Sequence, residues 1–296
     1  MRASLIQIAV TDDEPVESRR RRAASLVARA ARESGARLVV LPELWTVGAF
    51  AHRDFGSGAE PLRGPTYEAM AAAAADAGVW LHAGSVPERV PAGAEGSPAQ
   101  GSRGGSLPEG SPADGGGGSG AGTLYNTSLV FSPEGELAAV YRKIHRFGFD
   151  KGEAVLMGAG SELVTVRLPE TTMGVATCYD LRFPEMFRGL VDAGAELLVV
   201  PAGWPERRRS HWTLLARARA VENQCYVLAC GSAGTHAGVP QAGHSIAVDP
   251  WGEVLAEAGA EEEILTVDLD PAEVPGARKR FPVLRDRVLG LAPPRR

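Results

Sequence analysis

Leu197-Leu-Val-Val-Pro-Ala-Gly-Trp204 and Tyr226-Val-Leu-Ala229 decide the fold, because their apolar residues are consecutive rather than alternating. A strand with one wet face alternates, whereas a near-continuous apolar run belongs to a strand buried on both faces. A sheet of such strands must be covered on each side by a second sheet or by helices. Two further segments resemble each other: Leu129-Val-Phe-Ser-Pro-Glu-Gly-Glu-Leu-Ala138 and Ile246-Ala-Val-Asp-Pro-Trp-Gly-Glu-Val-Leu255. Each sets a Pro-x-Gly-Glu turn between two strand-like runs, a hairpin signature. One hairpin in each half suggests two similar sheets. An α/β four-layer αββα sandwich, two mixed sheets face to face with outer helices, meets all these demands.

Outward from these runs, apolar stretches alternate with amphipathic or alanine-rich ones. Residues 4–10 read as a strand. Over residues 14–33, Val16, Ala23, Leu26, Val27, Ala30 and Ala31 fall near one helical stripe. The run Arg19-Arg20-Arg21-Arg22 is expected to be a solvated helix face rather than an anion patch. A strand is expected over 37–41, a helix over 65–77 with Pro65 in its first turn, and a strand over 79–84. Residues 91–122 interrupt the pattern: 12 Gly, 4 Pro and 5 Ser among 32 positions contribute little to a core. We read this stretch as a flexible surface insertion in a single domain spanning 1–296, because the alternation resumes beyond it.

The chain has 296 residues, 44% hydrophobic and 23% charged, enough for one large core and incompatible with global disorder. A net charge of -5 matches a polyanion poorly, so nucleic acid is not an expected partner. No apolar run approaches the roughly 18 residues that span a bilayer, and the first strand runs into Thr11-Asp-Asp-Glu14, unlike a signal peptide. Membrane association is therefore not expected. Three cysteines, Cys178, Cys225 and Cys230, argue against a disulfide framework and for a reducing cytoplasm. The histidines lack metal-ligand spacing and there is no Cys-x-x-Cys, so neither a metal nor another cofactor is expected.

Four apolar runs stop abruptly at residues able to do chemistry. Val39-Val-Leu-Pro-Glu43 delivers Glu43, Leu137-Ala-Ala-Val-Tyr-Arg-Lys143 delivers Lys143, Met173-Gly-Val-Ala-Thr-Cys178 delivers Cys178, and the run from Leu197 delivers Trp204. Ligands bind beyond the carboxyl ends of strands in open α/β sheets, so these ends are candidates to converge. Pro184 and Glu185 are placed to open a helix after Cys178, which would set the thiol near backbone N–H groups and a positive helix end, favouring thiolate. Cys225 and Cys230 lie inside an apolar run and read as core. A thiol, a carboxylate and a fixed cation form a complete acyl-transfer set, whereas a Gly-x-Ser-x-Gly elbow is absent.

At these residues the sequence resembles the nitrilase superfamily of carbon-nitrogen hydrolases, closest to its ω-amidase-like branch. The likeness is carried, in order, by Leu41-Pro-Glu-Leu-Trp45, Tyr141-Arg-Lys-Ile-His145, Cys178-Tyr-Asp-Leu-Arg-Phe-Pro-Glu185 and Pro201-Ala-Gly-Trp204. It implies an αββα sandwich, paired into a homodimer or a larger homo-oligomer through outer helices. It also implies Glu43 as general base, Lys143 as the cation beside the tetrahedral intermediate, Cys178 as nucleophile and Glu153 as a second glutamate. Glu153 stands seven residues before Gly160, although Lys151-Gly-Glu-Ala-Val-Leu-Met-Gly-Ala-Gly160 departs from the best-known forms of this loop.

The backbone N–H of Tyr179 would share the oxyanion with Lys143. Arg182 stands where carbamoyl amino acid hydrolases of the superfamily grip a carboxylate; a salt bridge to Glu185 or Asp180 is the alternative. Phe147, Phe149, Trp45 and Trp204 are candidates to line the pocket. The expected activity is hydrolysis of a small, carboxylate-bearing amide through a cysteine thioester. Carbamoyl compounds or nitriles are alternative substrates, and a non-catalytic binding or scaffold role is the alternative from another class.

Overall fold

The computed structural model describes residues 1–93, 102–106 and 122–289. One sheet is built from β1 (Arg2–Gln7), β2 (Leu38–Val40), β3 (Trp80–Val90), β5 (Thr123–Phe131), β6 (Leu137–Arg142) and β15 (Glu263–Asp268). The other contains β4 (Ser102–Ser106), β7 (Glu162–Arg167), β8 (Thr172–Val175), β9 (Leu197–Ala202), β10 (Tyr226–Gly231), β13 (Ile246–Val248) and β14 (Val254–Glu257). A separate ribbon pairs β11 (Thr235–His236) with β12 (Val239–Pro240).

The strand orders are β15-β1-β2-β3-β5-β6 and β14-β13-β10-β9-β8-β7-β4. Each sheet has three parallel neighbours at its centre, β1-β2-β3 and β10-β9-β8, flanked by antiparallel strands. The hairpins expected around Gly135 and Gly252 are β5–β6 and β13–β14, one in each sheet. Most of the proposed insertion at 91–122 lies outside the described residues; within it, β4 pairs antiparallel with β7.

Helices α1 (Val16–Ser34) and α2 (Pro65–Ala77) cover the first sheet, and a single turn, α3 (Glu153–Leu156), follows β6. Helices α4 (Pro184–Asp192) and α5 (Arg209–Asn223) cover the second sheet, and α6 (Glu273–Arg280) comes last. Layering follows from the two-residue period of a strand. Leu5, Leu38, Val40 and Tyr141 join Val175, Val199 and Leu228 of the opposite sheet in one buried cluster. One residue out of step, Ile6, Val39, Leu41 and Leu81 pack on Leu26, Val27, Met70 and Ala74 of the helices. Burying each such aliphatic side chain contributes about 1.5–3 kcal/mol, so a strand apolar at every position anchors two layers at once. Among the described residues, no helix is long and apolar enough to cross a membrane.

The arginine run departs from its expected role. Arg19 is 2% exposed and donates to the Thr46 and Trp45 carbonyls at 2.9 and 3.2 Å and to the Glu14 carboxylate at 3.0 Å. Arg20 joins Glu17 and Glu60, and Arg22 joins Glu14 and Glu262. Arg21 alone of the four stays largely in solvent. A 3.6-residue turn cannot keep four successive side chains on one face, and Glu14 and Glu60 supply the countercharges that let three turn inward.

The strand expected over 79–84 continues to Val90. Its register shifts between His82 and Ser85, and Gly84 takes φ 66° there. A Cβ at Gly84 would lie 1.9 Å from the Pro42 carbonyl oxygen, so this bulge is where the Glu43 loop seats itself.

Burial pushes the His82 imidazole down to about 4; its Nδ1 accepts from the Gly84 N–H and its Nε2 has no partner among the described residues. A folded value below the unfolded 6.5 means that its stabilising effect is complete above pH 6.5 and is lost as pH falls towards 4. Between pH 7 and pH 5 this one group should remove about 2 kcal/mol. Urea unfolding at the two pH values should show a loss smaller by roughly that amount in His82→Gln.

Candidate active site

Two loops with strained backbones bring the acid and the thiol together. After β2, Leu44 adopts φ 45° and turns the chain at Glu43. That turn is tied to β3 by Ser85 N–H on the Pro42 carbonyl at 3.2 Å, Leu44 N–H on Ser85 Oγ at 3.0 Å, and Trp45 Nε1–H on the Ala83 carbonyl at 2.9 Å. After β8, Cys178 adopts φ 48° and starts the 3-10 turn Cys178–Arg182. A left-handed conformation at a non-glycine residue costs about 1–3 kcal/mol and persists only where its surroundings hold it. Asp180 does the holding: its buried carboxylate accepts from Thr177 N–H at 2.8 Å, Tyr141 OH at 2.6 Å and His145 N–H at 3.0 Å. The nucleophile's turn and the segment just after Lys143 are thus joined through one carboxylate.

Lys143, 1% exposed, donates from Nζ to Glu43 Oε1 and to Glu153 Oε2, both at 2.6 Å. Asn126, on β5, donates from Nδ2 to Glu43 Oε1 at 2.9 Å and to Glu153 Oε1 at 2.5 Å. Glu153 Oε2 also accepts from Phe147 N–H at 2.9 Å, and Glu43 Oε2 accepts from Gly203 N–H at 2.9 Å. The Cys178 thiol donates to the Gly203 carbonyl at 3.9 Å. The structure therefore brings Glu43, Lys143, Cys178 and Glu153 into one buried cluster.

Two carboxylates against one ammonium leave this cluster negative when the thiol keeps its proton. Burial opposes the Lys143 ammonium, but Glu153 and Glu43 outweigh it and hold its pKa well above the usual lysine value. Glu153 is raised by burial, which the ammonium offsets in part. Cys178 is also held well above an ordinary thiol, first by burial and then by Glu43, with Lys143 pulling the other way. The structure departs from the expectation of a thiolate-favouring turn: burial and then the nearby Glu43 carboxylate outweigh the pull of the Lys143 ammonium. The resting group is the thiol.

A cavity opens above the sulfur, bordered by Glu43, Lys143, Glu153 and Cys178, with Tyr179, Phe147 and Trp204 among its walls. Phe147 meets Tyr179 edge-on at 5.3 Å. Arg182 borders the cavity; its guanidinium lies 4.9 Å from the Trp204 ring and Nη2 is 3.3 Å from His211 Nδ1. It forms no salt bridge to Glu185 or Asp180 among the described residues, and Asp180 is occupied by the contacts above. Trp45 is a core residue sealed under β3, and Phe149 is 80% exposed outside the cavity, so neither lines it. Cys225 and Cys230 are fully buried in the core.

Sequence reasoning missed Asn126, Gly203, Phe50 and Arg208. A signal existed for the first: an amide inside Thr123–Phe131 is unusual in a strand and must find partners once buried.

Fold and cavity together define the class of αββα hydrolases with a cysteine at the mouth of the sandwich. The chain belongs to the carbon-nitrogen hydrolase family, whose model matches residues 2–279. It is similar to the 2-oxoglutaramate amidase of Paenarthrobacter nicotinovorans, with 38% identity over 95% of this chain and 87% of that one. It is 32% identical to omega-amidase NIT2 of Xenopus tropicalis over 97% of this chain and 94% of that one. Among solved structures it is similar to a mutant of the amidase from Nesterenkonia sp. AN1 showing Michael addition of acrylamide at the active site cysteine. The TM-score is 0.73 and the identity 25%, covering 97% of this chain and 99% of that one.

The electrostatics give a measurable consequence. Alkylation of Cys178 by iodoacetamide should be slow at pH 7 and still rising at pH 9, because the thiol is held up. Glu43→Gln removes the carboxylate that raises it and should move the rate profile to lower pH, as followed by intact mass. A wild-type plateau below pH 8 would show a resting thiolate instead.

Proposed function

We propose that this protein hydrolyses the terminal amide of a small, carboxylate-bearing substrate through a thioester on Cys178. The observation that carries this reading is the meeting of Glu43, Lys143 and Cys178 at the wall of one cavity.

Glu43 Oε2 accepts the thiol proton as Sγ bonds to the amide carbon. The oxyanion forms against the Lys143 ammonium and the Tyr179 N–H. Glu43 then gives the proton to the amide nitrogen, the C–N bond breaks, and ammonia leaves. The same carboxylate takes a proton from water as its oxygen attacks the thioester; the C–S bond breaks and the proton returns to the sulfur. Proton transfer from Cys178 to Glu43 and then to oxyanion formation keeps one negative charge in place, moving it towards the ammonium. Glu153 keeps its role as anchor of Lys143, since both its oxygens face donors. Arg182 receives the substrate carboxylate, which matches the relatives' action on 2-oxoglutaramate and on ω-amides as their names record.

The finer reading adds three points. The chain acts as a single domain with an insertion at 91–122. It works as a homodimer, for which the exposed Leu214, Val221, Trp251, Val254 and Leu255 supply an apolar face. It resides in the cytoplasm, a placement supported by three unpaired cysteines.

Succinamate, a carbamoyl amino acid and a nitrile, each followed for ammonia release, test the reaction class. Succinamate should be preferred, and Cys178→Ala should cut the rate about 1000-fold or more. Equal release by wild type and Cys178→Ala would refute the mechanism. A slow Glu43→Gln variant should carry a succinyl adduct on Cys178 by intact mass.

A further inference from the structure

We propose that Arg208 is a specificity-determining residue that joins Arg182 in a two-guanidinium clamp for the substrate carboxylate. The inference deepens the amide-hydrolase reading above and rests on it. No motif in the sequence marks Arg208, which sits inside Glu206-Arg-Arg-Arg-Ser210.

The structure separates it from its neighbours. Glu206, Arg207, Arg209 and Ser210 are exposed, whereas Arg208 is turned in and borders the cavity that holds Cys178. Its guanidinium carbon is 5.6 Å from the Phe147 ring centre, and Arg182 lies against the Trp204 ring from its own turn. Trp204 Nε1–H donates to the Arg208 carbonyl at 2.8 Å, so the indole under one guanidinium is fastened to the backbone that carries the other.

Neither arginine has a carboxylate partner among the described residues, unlike Arg20, Arg142, Arg219 and Arg287. The carboxylates that border the cavity, Glu43 and Glu153, are held by Lys143 and Asn126. Burial, then Arg207 and Arg182, push the Arg208 guanidinium below its usual value, the mark of a cation short of countercharge. Two such forks over aromatic faces, with no internal anion between them, suit a planar carboxylate at the end of the substrate away from the scissile amide.

Succinamate and butyramide, four-carbon amides with and without the carboxylate, provide the test. In Arg208→Gln the preference for succinamate, as the ratio of the two kcat/KM values, should fall about 10- to 100-fold, mainly through KM for succinamate. Arg208→Lys should recover part of it and serves also if the glutamine variant folds poorly. A ratio equal to that of wild type in both variants overturns the clamp.

Calorimetric binding of glutarate reads the clamp without turnover and should weaken about 10-fold or more in Arg208→Gln. Unchanged glutarate binding also overturns the proposal. Failure of the wild type to release ammonia from any amide, with glutarate binding still dependent on Arg208, would instead fault the reaction and leave the clamp standing.

Discussion

Lys143 carries a full charge at 1% exposure, a placement that only its two carboxylate partners make tolerable. An isolated ammonium in such a place would lose its proton or forbid the fold; breaking a buried pair of this kind costs about 3–5 kcal/mol. The requirement reaches far along the chain. Glu43 must arrive from the end of β2 and Glu153 from the turn after β6, and Asn126 must hold both from β5. The parallel centre of each sheet serves this need by sending several strand ends to one edge of the sandwich, where the loops from both sheets meet.

The same interaction sets the reactivity of the sulfur. With the ammonium already shared between two carboxylates, little of its field is left to stabilise a thiolate, and the resting nucleophile is neutral. In the mechanism we propose, proton transfer to Glu43 would change that balance: the acid would lose its charge at the moment when the ammonium is needed by the developing oxyanion. On that mechanism the site would be arranged for charge that appears during reaction rather than for charge present beforehand, which is where preorganised groups contribute most.

Much of this was legible in the sequence, and for identifiable reasons. Leu197 to Val200 and Tyr226 to Ala229 announced strands buried on both faces because burial on two sides removes the alternation itself. Glu43, Lys143 and Cys178 stood out as polar residues at the point where an apolar run stops. Asn126 did not, because it lies within its strand and its partners are 83 and 27 residues away. Arg19 was hidden for a related reason: beside Glu14, its acceptors include carbonyls of the loop after Glu43, and backbone groups leave no mark in a residue pattern. The direction of the Cys178 shift was out of reach too, since it depends on how deeply the sulfur sits and which charge lies nearer.

Gly203 touches both the acid and the sulfur through a single residue: its N–H holds Glu43 Oε2, and its carbonyl receives the Cys178 thiol. It follows strand β9, whose residues are buried throughout, and a Cβ there would come within 2.3 Å of the Ala49 side chain. Acid and sulfur are thus measured from a common fixed point, as two pointers from one pivot. Any mechanical slip of that strand would displace both references together, so the spacing between the carboxylate and the thiol is insulated from the breathing of the rest of the sandwich.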